Sequence, residues 1–235
     1  MTERQIKILK ALIEEYIKTA EPISSDFLSK KYDFGLCPSA IRIEMQFLIK
    51  SGFLEQPHTS AGRVPTDRAY RFFVDALENY RDRERQAVEQ ALNRVLNKQT
   101  KDQFRLAGNL TKFMADNSSG LAIIHFLNHD ISWKEGWDEI IKEPEFMDLE
   151  FVSNILNFLD NFEEKIKELN PQGIGIYIGH EIPISKSRNL SLVCSICPIP
   201  NHEKAFVSIL GPKRMDYAKN INLIQSVNKA LSDLI

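Results

Sequence analysis

QPHTSAGRVPTDRAYRFF, residues 56–73, decides how the rest of the chain is read. Pro57 and Pro65 interrupt regular structure, and Thr59, Ser60, Ala61 and Gly62 are small enough to let a backbone come close to another chain. Phe53-Leu54-Glu55 before it reads as a short strand, and Val64 as the start of a return strand, so 56–65 is a loop or hairpin. Thr66 then caps a new helix, Asp67 sits favourably in its first turn, and Tyr70, Phe73, Val74 and Leu77 form its apolar stripe.

Upstream, Thr2-x-x-Gln5 fits a capping box, followed by Ile6, Leu9, Leu12, Ile13, Tyr16 and Ile17 at helical spacing. Glu21-Pro22 ends that helix. Ser24 caps a short second helix carrying Phe27 and Leu28, Asp33-Phe34-Gly35 turns the chain, and Pro38 opens a third helix that runs to Ser51-Gly52. Three helices with a short glycine-containing turn between the second and third make a helix-turn-helix outline.

On a helical wheel Ile41, Met45 and Leu48 fall on the core side of the third helix. Ser39, Arg42, Ile43, Gln46 and Lys50 fall on the other. Arg pairs with guanine edges, Gln with adenine, and an apolar side chain meets a thymine methyl, so this face suits a major groove; it equally suits an ordinary solvated helix. The hairpin behind it tips the balance. A hairpin directly after such a helix is a wing, in which His58, Thr59 and Ser60 offer N–H and side-chain groups to phosphate oxygens and Arg63 reaches a phosphate or a minor groove. Residues 1–70 carry ten Lys and Arg against nine Asp and Glu, so one copy has few spare cations and useful affinity needs two copies on one duplex.

From 81 to 101 the sequence is charge-rich, yet Val88, Leu92, Val95 and Leu96 keep a helical stripe that reads as packing on a partner. Asn117-Ser-Ser-Gly120 stops the helical run. Beyond it, strands are expected at 121–126, 173–179, 190–196 and 205–210, a helix at 145–169, and a last helix with Met215, Ile221, Ile224, Val227 and Leu231 on one stripe. That mixture indicates an α+β domain.

PHTSAGRVPTDRAYRFFVD resembles the signature of the HrcA family of heat-inducible transcription repressors. So do Ile41-Arg42-x-Glu44-Met45, EPEFMD at 143–148, IGHE at 178–181 and LGPKRMDY at 210–217, in the same order. The resemblance implies an α+β protein: a winged-helix DNA-binding domain at 1–80, connecting helices at 81–117, and a truncated GAF-like regulatory domain at 118–235. It implies a repressor of chaperone operons that binds double-stranded DNA as a homodimer, at an inverted-repeat operator of the CIRCE type, with activity modulated by the chaperonin. Two departures stand out. Ala40 and Ile43 replace the Thr and Asn usual around the Ile-Arg pair, and the chain lacks about a hundred residues of the middle region, including the usual dimerisation insert. Dimerisation then falls to the 88–96 stripe or to a sheet edge.

Other constellations point elsewhere. Cys194-x-x-Cys197 with His125-x-x-x-His129 could count as four zinc ligands, but three-residue spacing on a strand sends the two thiols to opposite faces. Glu181 and Arg214 read as a salt-bridged pair that pins the final helix to the sheet, not as acid–base catalysts. Gly173-x-Gly175-x-x-x-Gly179 has the wrong spacing for a dinucleotide site. No enzyme, metal or cofactor is expected. Three cysteines, no apolar run of membrane-spanning length and a highly charged beginning indicate a cytoplasmic protein. The competing functional class is a partner- or ligand-binding sensor whose winged helix mediates protein contacts; Arg42 and Arg63 are needed in the first class and dispensable in the second.

Overall fold

The computed structural model describes residues 1–79, 83–96, 103–129, 131–169, 171–183, 189–199 and 203–233. It is an α+β protein that divides into two compact units, Met1–Glu78 and Asn79–Ile235.

In the first unit, α1 (Glu3–Thr19) begins at a complete capping box. Thr2 Oγ1 accepts from Gln5 N–H at 3.2 Å, and Gln5 Oε1 accepts from Thr2 N–H at 3.0 Å. It buries Ile8, Leu9, Leu12 and Ile13 and ends at Ala20, whose φ of 57° is left-handed. Helix α2 (Ser25–Lys31), capped by Ser24, buries Leu28 but leaves Phe27 exposed beneath the Lys31 ammonium. Helix α3 (Pro38–Lys50) has its proline in the first turn and buries Ile41, Met45 and Leu48. Strands β1 (Leu54–Glu55) and β2 (Val64–Pro65) pair antiparallel, and α4 (Asp67–Asp75) follows, with Thr66 Oγ1 accepting from Ala69 N–H at 3.3 Å. Tyr70, Phe73 and Val74 of α4 close the core.

Sequence reasoning gave no role to Glu15, which lies wholly buried on α1. Its carboxylate accepts from Lys31 Nζ at 2.5 Å, Tyr32 OH at 2.7 Å and Lys18 Nζ at 3.3 Å, tying α1 to the end of α2. Burial pushes its pKa up, but those three donors outweigh it and hold the carboxyl below its ordinary value.

In the second unit, α5 (Arg83–Leu96) and α6 (Gln103–Asp116) precede β3 (Leu121–Phe126), β4 (Ile131–Glu135), α7 (Trp137–Ile140), α8 (Leu149–Lys165), β5 (Ile174–Ile178), β6 (Leu190–Ile199), β7 (Glu203–Pro212) and α9 (Tyr217–Ser232). The five strands form one antiparallel sheet in the order β4-β3-β7-β6-β5. Phe151, Ile155, Phe158 and Phe162 of α8 pack with Leu121, Ile123, Leu192, Cys194, Phe206 and Leu210 on one face. Alternation sends Ile124 and Phe126 to the other, against Leu106 and Leu110 of α6 and Leu231 of α9.

Helix α5 packs on α9 of the same unit. Leu92 is only 1% exposed, beside Ser226, Lys229 and Ala230, and Lys229 reaches Glu89 at 3.3 Å. Of the stripe expected to face a second copy, Leu92 is used in this internal contact, while Val88, Val95 and Leu96 are half-buried. Strand β4 and the short α7 escaped the sequence reading: ISWKE is half polar and holds its place by pairing with β3.

Candidate nucleic-acid interface

One face of α3 is open to solvent. Ser39, Arg42, Ile43, Gln46 and Lys50 are all exposed there, and so is Phe47, which sequence reasoning passed over. Ser39 Oγ lies 3.1 Å from Cys37 Sγ at the helix start. Glu44, the acid of this helix, is turned away: it accepts from Gln5 Nε2 at 3.0 Å and lies 3.6 Å from Arg4 on α1. The face that remains is cationic, amide-bearing and apolar.

The loop between β1 and β2 is ordered from within. Gln56 Nε2 donates to the Thr59 and Ala61 carbonyls at 2.7 and 3.2 Å, and Ala61 N–H donates to His58 O at 2.9 Å. His58, Thr59 and Ser60 stand exposed at its tip. Its root is fastened to the segment between α1 and α2, because Arg63 forms an antiparallel bridge with Ile23. At the far side Thr66 Oγ1 donates to Gly52 O at 2.7 Å, while Arg68 donates to Ser51 O at 2.8 Å and lies over the Phe53 ring. Much of the 56–73 stretch thus holds the ribbon against the helices, and only its tip is presented outward.

Arg63 departs from expectation. Its side chain does not extend toward solvent: the residue is 9% exposed, and Nη1 donates to the Ala61 and Gly62 carbonyls at 2.9 and 3.3 Å. Pairing of its backbone with Ile23 directs the side chain back under the loop. Nε is buried without a hydrogen-bond partner among the described residues. Burial, and then the nearby charge of Arg42, push the guanidinium below its ordinary pKa.

Arg214, expected to pair with Glu181, also meets two carboxylates that the sequence did not point to. Arg214 Nε and Nη2 grip the two oxygens of Glu145 at 2.6 and 2.8 Å, and Nη2 also meets Glu143. Glu181 Oε2 accepts from the Ile178 N–H at 2.9 Å, closing its own turn. Gly179, at φ 54°, permits the IGHE turn, and sequence separation hid the 143–145 carboxylates that the long arginine reaches.

The two cysteines of the C-x-x-C part to opposite faces of β6. Cys194 lies in the core beneath α8, and Cys197 bonds Asn228 of α9; burial raises both thiols, Cys197 to about 12. His125 is buried with Nδ1 2.9 Å from Ser132 Oγ, whereas His129 meets Glu203 at 2.9 Å at the surface. Each of the four residues has its own place in the fold, and they do not converge.

The family model for the HrcA protein C-terminal domain matches residues 65–221. The chain belongs to the HrcA family. The heat-inducible transcription repressor HrcA of Natranaerobius thermophilus is 30% identical, with 97% of this chain and 95% of that protein covered. The protein of the same name from Thermoanaerobacter sp. is 28% identical, over 100% of this chain and 97% of its own. These alignments run to 328 and 333 positions, more than the 235 residues here, so the HrcA relatives carry a long stretch with no counterpart in this chain. A solved crystal structure described as that of a hypothetical protein shares the fold, with a TM-score of 0.83, 16% identity, and coverage of 99% of this chain and 98% of that one.

Proposed function

We propose that this HrcA-family chain is a transcriptional repressor of heat-shock operons that binds double-stranded DNA. In this reading residues 1–78 are a winged helix: α3 lies in the major groove with Ser39, Arg42, Ile43, Gln46 and Lys50 toward the bases, and the β1–β2 ribbon is the wing, with His58, Thr59 and Ser60 near phosphates. The observation that carries the reading is the exposed α3 face, stripped of acid by the Glu44 contacts. The names of the HrcA relatives agree with this use.

The finer reading follows the resemblance. The second unit is a GAF-like regulatory domain, the operator is a CIRCE-type inverted repeat, two copies bind it about a twofold axis, and the chaperonin favours the binding form. A gel shift with chaperone-operon promoter DNA beside a scrambled duplex tests the first part. Preferential binding that Arg42→Ala weakens supports it, and equal affinity for both duplexes overturns it. Refolding the chain with and without chaperonin, scored by operator binding, tests the last part; identical recovery would remove the chaperonin from the scheme. In the competing reading this face meets a protein, and Arg42 and Arg63 are then dispensable for DNA.

A further inference from the structure

We propose that Ile43 and Phe47 together read thymine methyl groups, so that each DNA half-site carries thymines placed to meet them. The inference rests on α3 being the groove-facing helix and adds what that helix selects. Ile43 is 58% and Phe47 52% exposed. They stand four residues apart, which puts both on one side of the helix about one turn, or 5.4 Å, from each other. The other exposed large apolar side chains among the described residues of this unit are Met1, at the chain's first residue, and Phe27, which is covered by Lys31.

The surroundings choose the occupant. Arg42, Gln46 and Lys50 run along the edge of the pair, and Glu44 is engaged by Gln5 and Arg4. The core of a protein interface is depleted of charge, whereas this pair is bordered by cations suited to a polyanion. In the major groove the apolar group a base presents is the C5-methyl of thymine. A separation of about 5.4 Å spans one to two base steps of about 3.4 Å, so the methyls come from thymines one or two steps apart. Arg42 and Gln46 beside them are free to take a guanine and an adenine edge.

The test changes the DNA by one methyl at a time. The tightest duplex is first recovered from a random-sequence library with the full chain. Each thymine is then replaced by deoxyuridine, which removes the methyl and nothing else. The expected result is a loss of about fourfold per methyl at one or two positions in each half-site. Ile43→Ala should abolish the loss at one position and Phe47→Ala at the other. A flat uridine scan of the parent, or losses that persist undiminished in both variants, would overturn the proposal. If either variant melts early, the scan of the parent still decides, since it alters only the DNA. Failure to recover any preferred duplex would remove the groove reading itself, and this inference with it. Intact methyl sensitivity in the variants with loss of self-association would assign the pair to a protein contact instead.

Discussion

Ile23 and Arg63 exchange two backbone hydrogen bonds, Ile23 N–H to Arg63 O at 2.9 Å and Arg63 N–H to Ile23 O at 2.8 Å. The root of the loop is thereby fixed to the segment between α1 and α2. Gly62 is what allows the approach, since a Cβ there would lie 2.4 Å from the Pro22 carbonyl oxygen, a backbone atom that cannot swing aside. Gly62→Ala should therefore destabilise the first unit by about 1–3 kcal/mol and loosen the loop. Thermal melts should show the loss, and gel shifts should show weaker binding to preferred and scrambled duplexes alike. A variant that melts and binds as the parent does would separate the loop from the function.

Arg42 and Arg63 are predicted to fail differently. Arg42→Ala should cost about 1–3 kcal/mol on the preferred duplex and blur the preference, because an exposed arginine on α3 is placed for a base edge. Arg42 is exposed, so the melting temperature should hold. Arg63→Ala should weaken every duplex equally, through the loop whose carbonyls it gathers. Arg63→Lys should not restore binding, since an ammonium lacks the planar fork and is more strongly hydrated where the guanidinium is buried. Competition between preferred and scrambled DNA distinguishes the two patterns; an Arg63→Ala variant that loses only the preferred site would reverse the assignment.

Glu15 gives the first unit a pH dependence. Its pKa is lowered in the folded state, so its contribution is fully present above the unfolded carboxyl value of about 4.3 and is lost as pH falls through the folded value. Acid should therefore unfold the parent more steeply than Glu15→Gln, which cannot titrate. Near neutral pH the variant should be less stable by about 2 kcal/mol, because it gives up charge-assisted bonds from Lys31 and Lys18 while both lysines can turn to water. Urea melts from pH 3 to 7 on both proteins check this. Parallel curves would show that Glu15 does not set the acid limb.

The elements were legible where local chemistry dictates them. Thr2, Ser24, Pro38 and Thr66 mark helix starts by the hydrogen bonds or the φ they supply, and the structure uses each as such. The exposed face of α3 followed from periodicity alone. What the sequence hid were side chains whose role depends on a distant partner. Glu15 looks like a solvated charge until Lys31 and Tyr32 arrive from α2, and Arg63 looks like a free cation until Ile23 captures its backbone. Phe47 was missed for the opposite reason: a large aromatic is ordinarily expected inside, and only the packed helix shows it outside. The 88–96 stripe was visible as a stripe, but α9, against which Leu92 is buried, lies more than a hundred residues away.

Arg214 is predicted to matter more than any carboxylate it was first matched with. Its guanidinium is nearly buried and holds Glu145 by both oxygens, with Glu143 on the same nitrogen. Arg214→Ala leaves two half-buried carboxylates without their cation, which should cost about 3 kcal/mol and lower the melting temperature of the second unit. Arg214→Lys should recover little of that, because one ammonium cannot serve Glu145 bidentately. Glu181→Ala gives up the hydrogen bond from the Ile178 N–H and should cost less, about 1 kcal/mol. Double-mutant cycles resolve the pairing: Arg214 with Glu145 should couple by more than about 1 kcal/mol, and more strongly than Arg214 with Glu181. A strong coupling to Glu181 and none to Glu145 would mean that, in solution, the 143–148 segment does not rest on the start of α9.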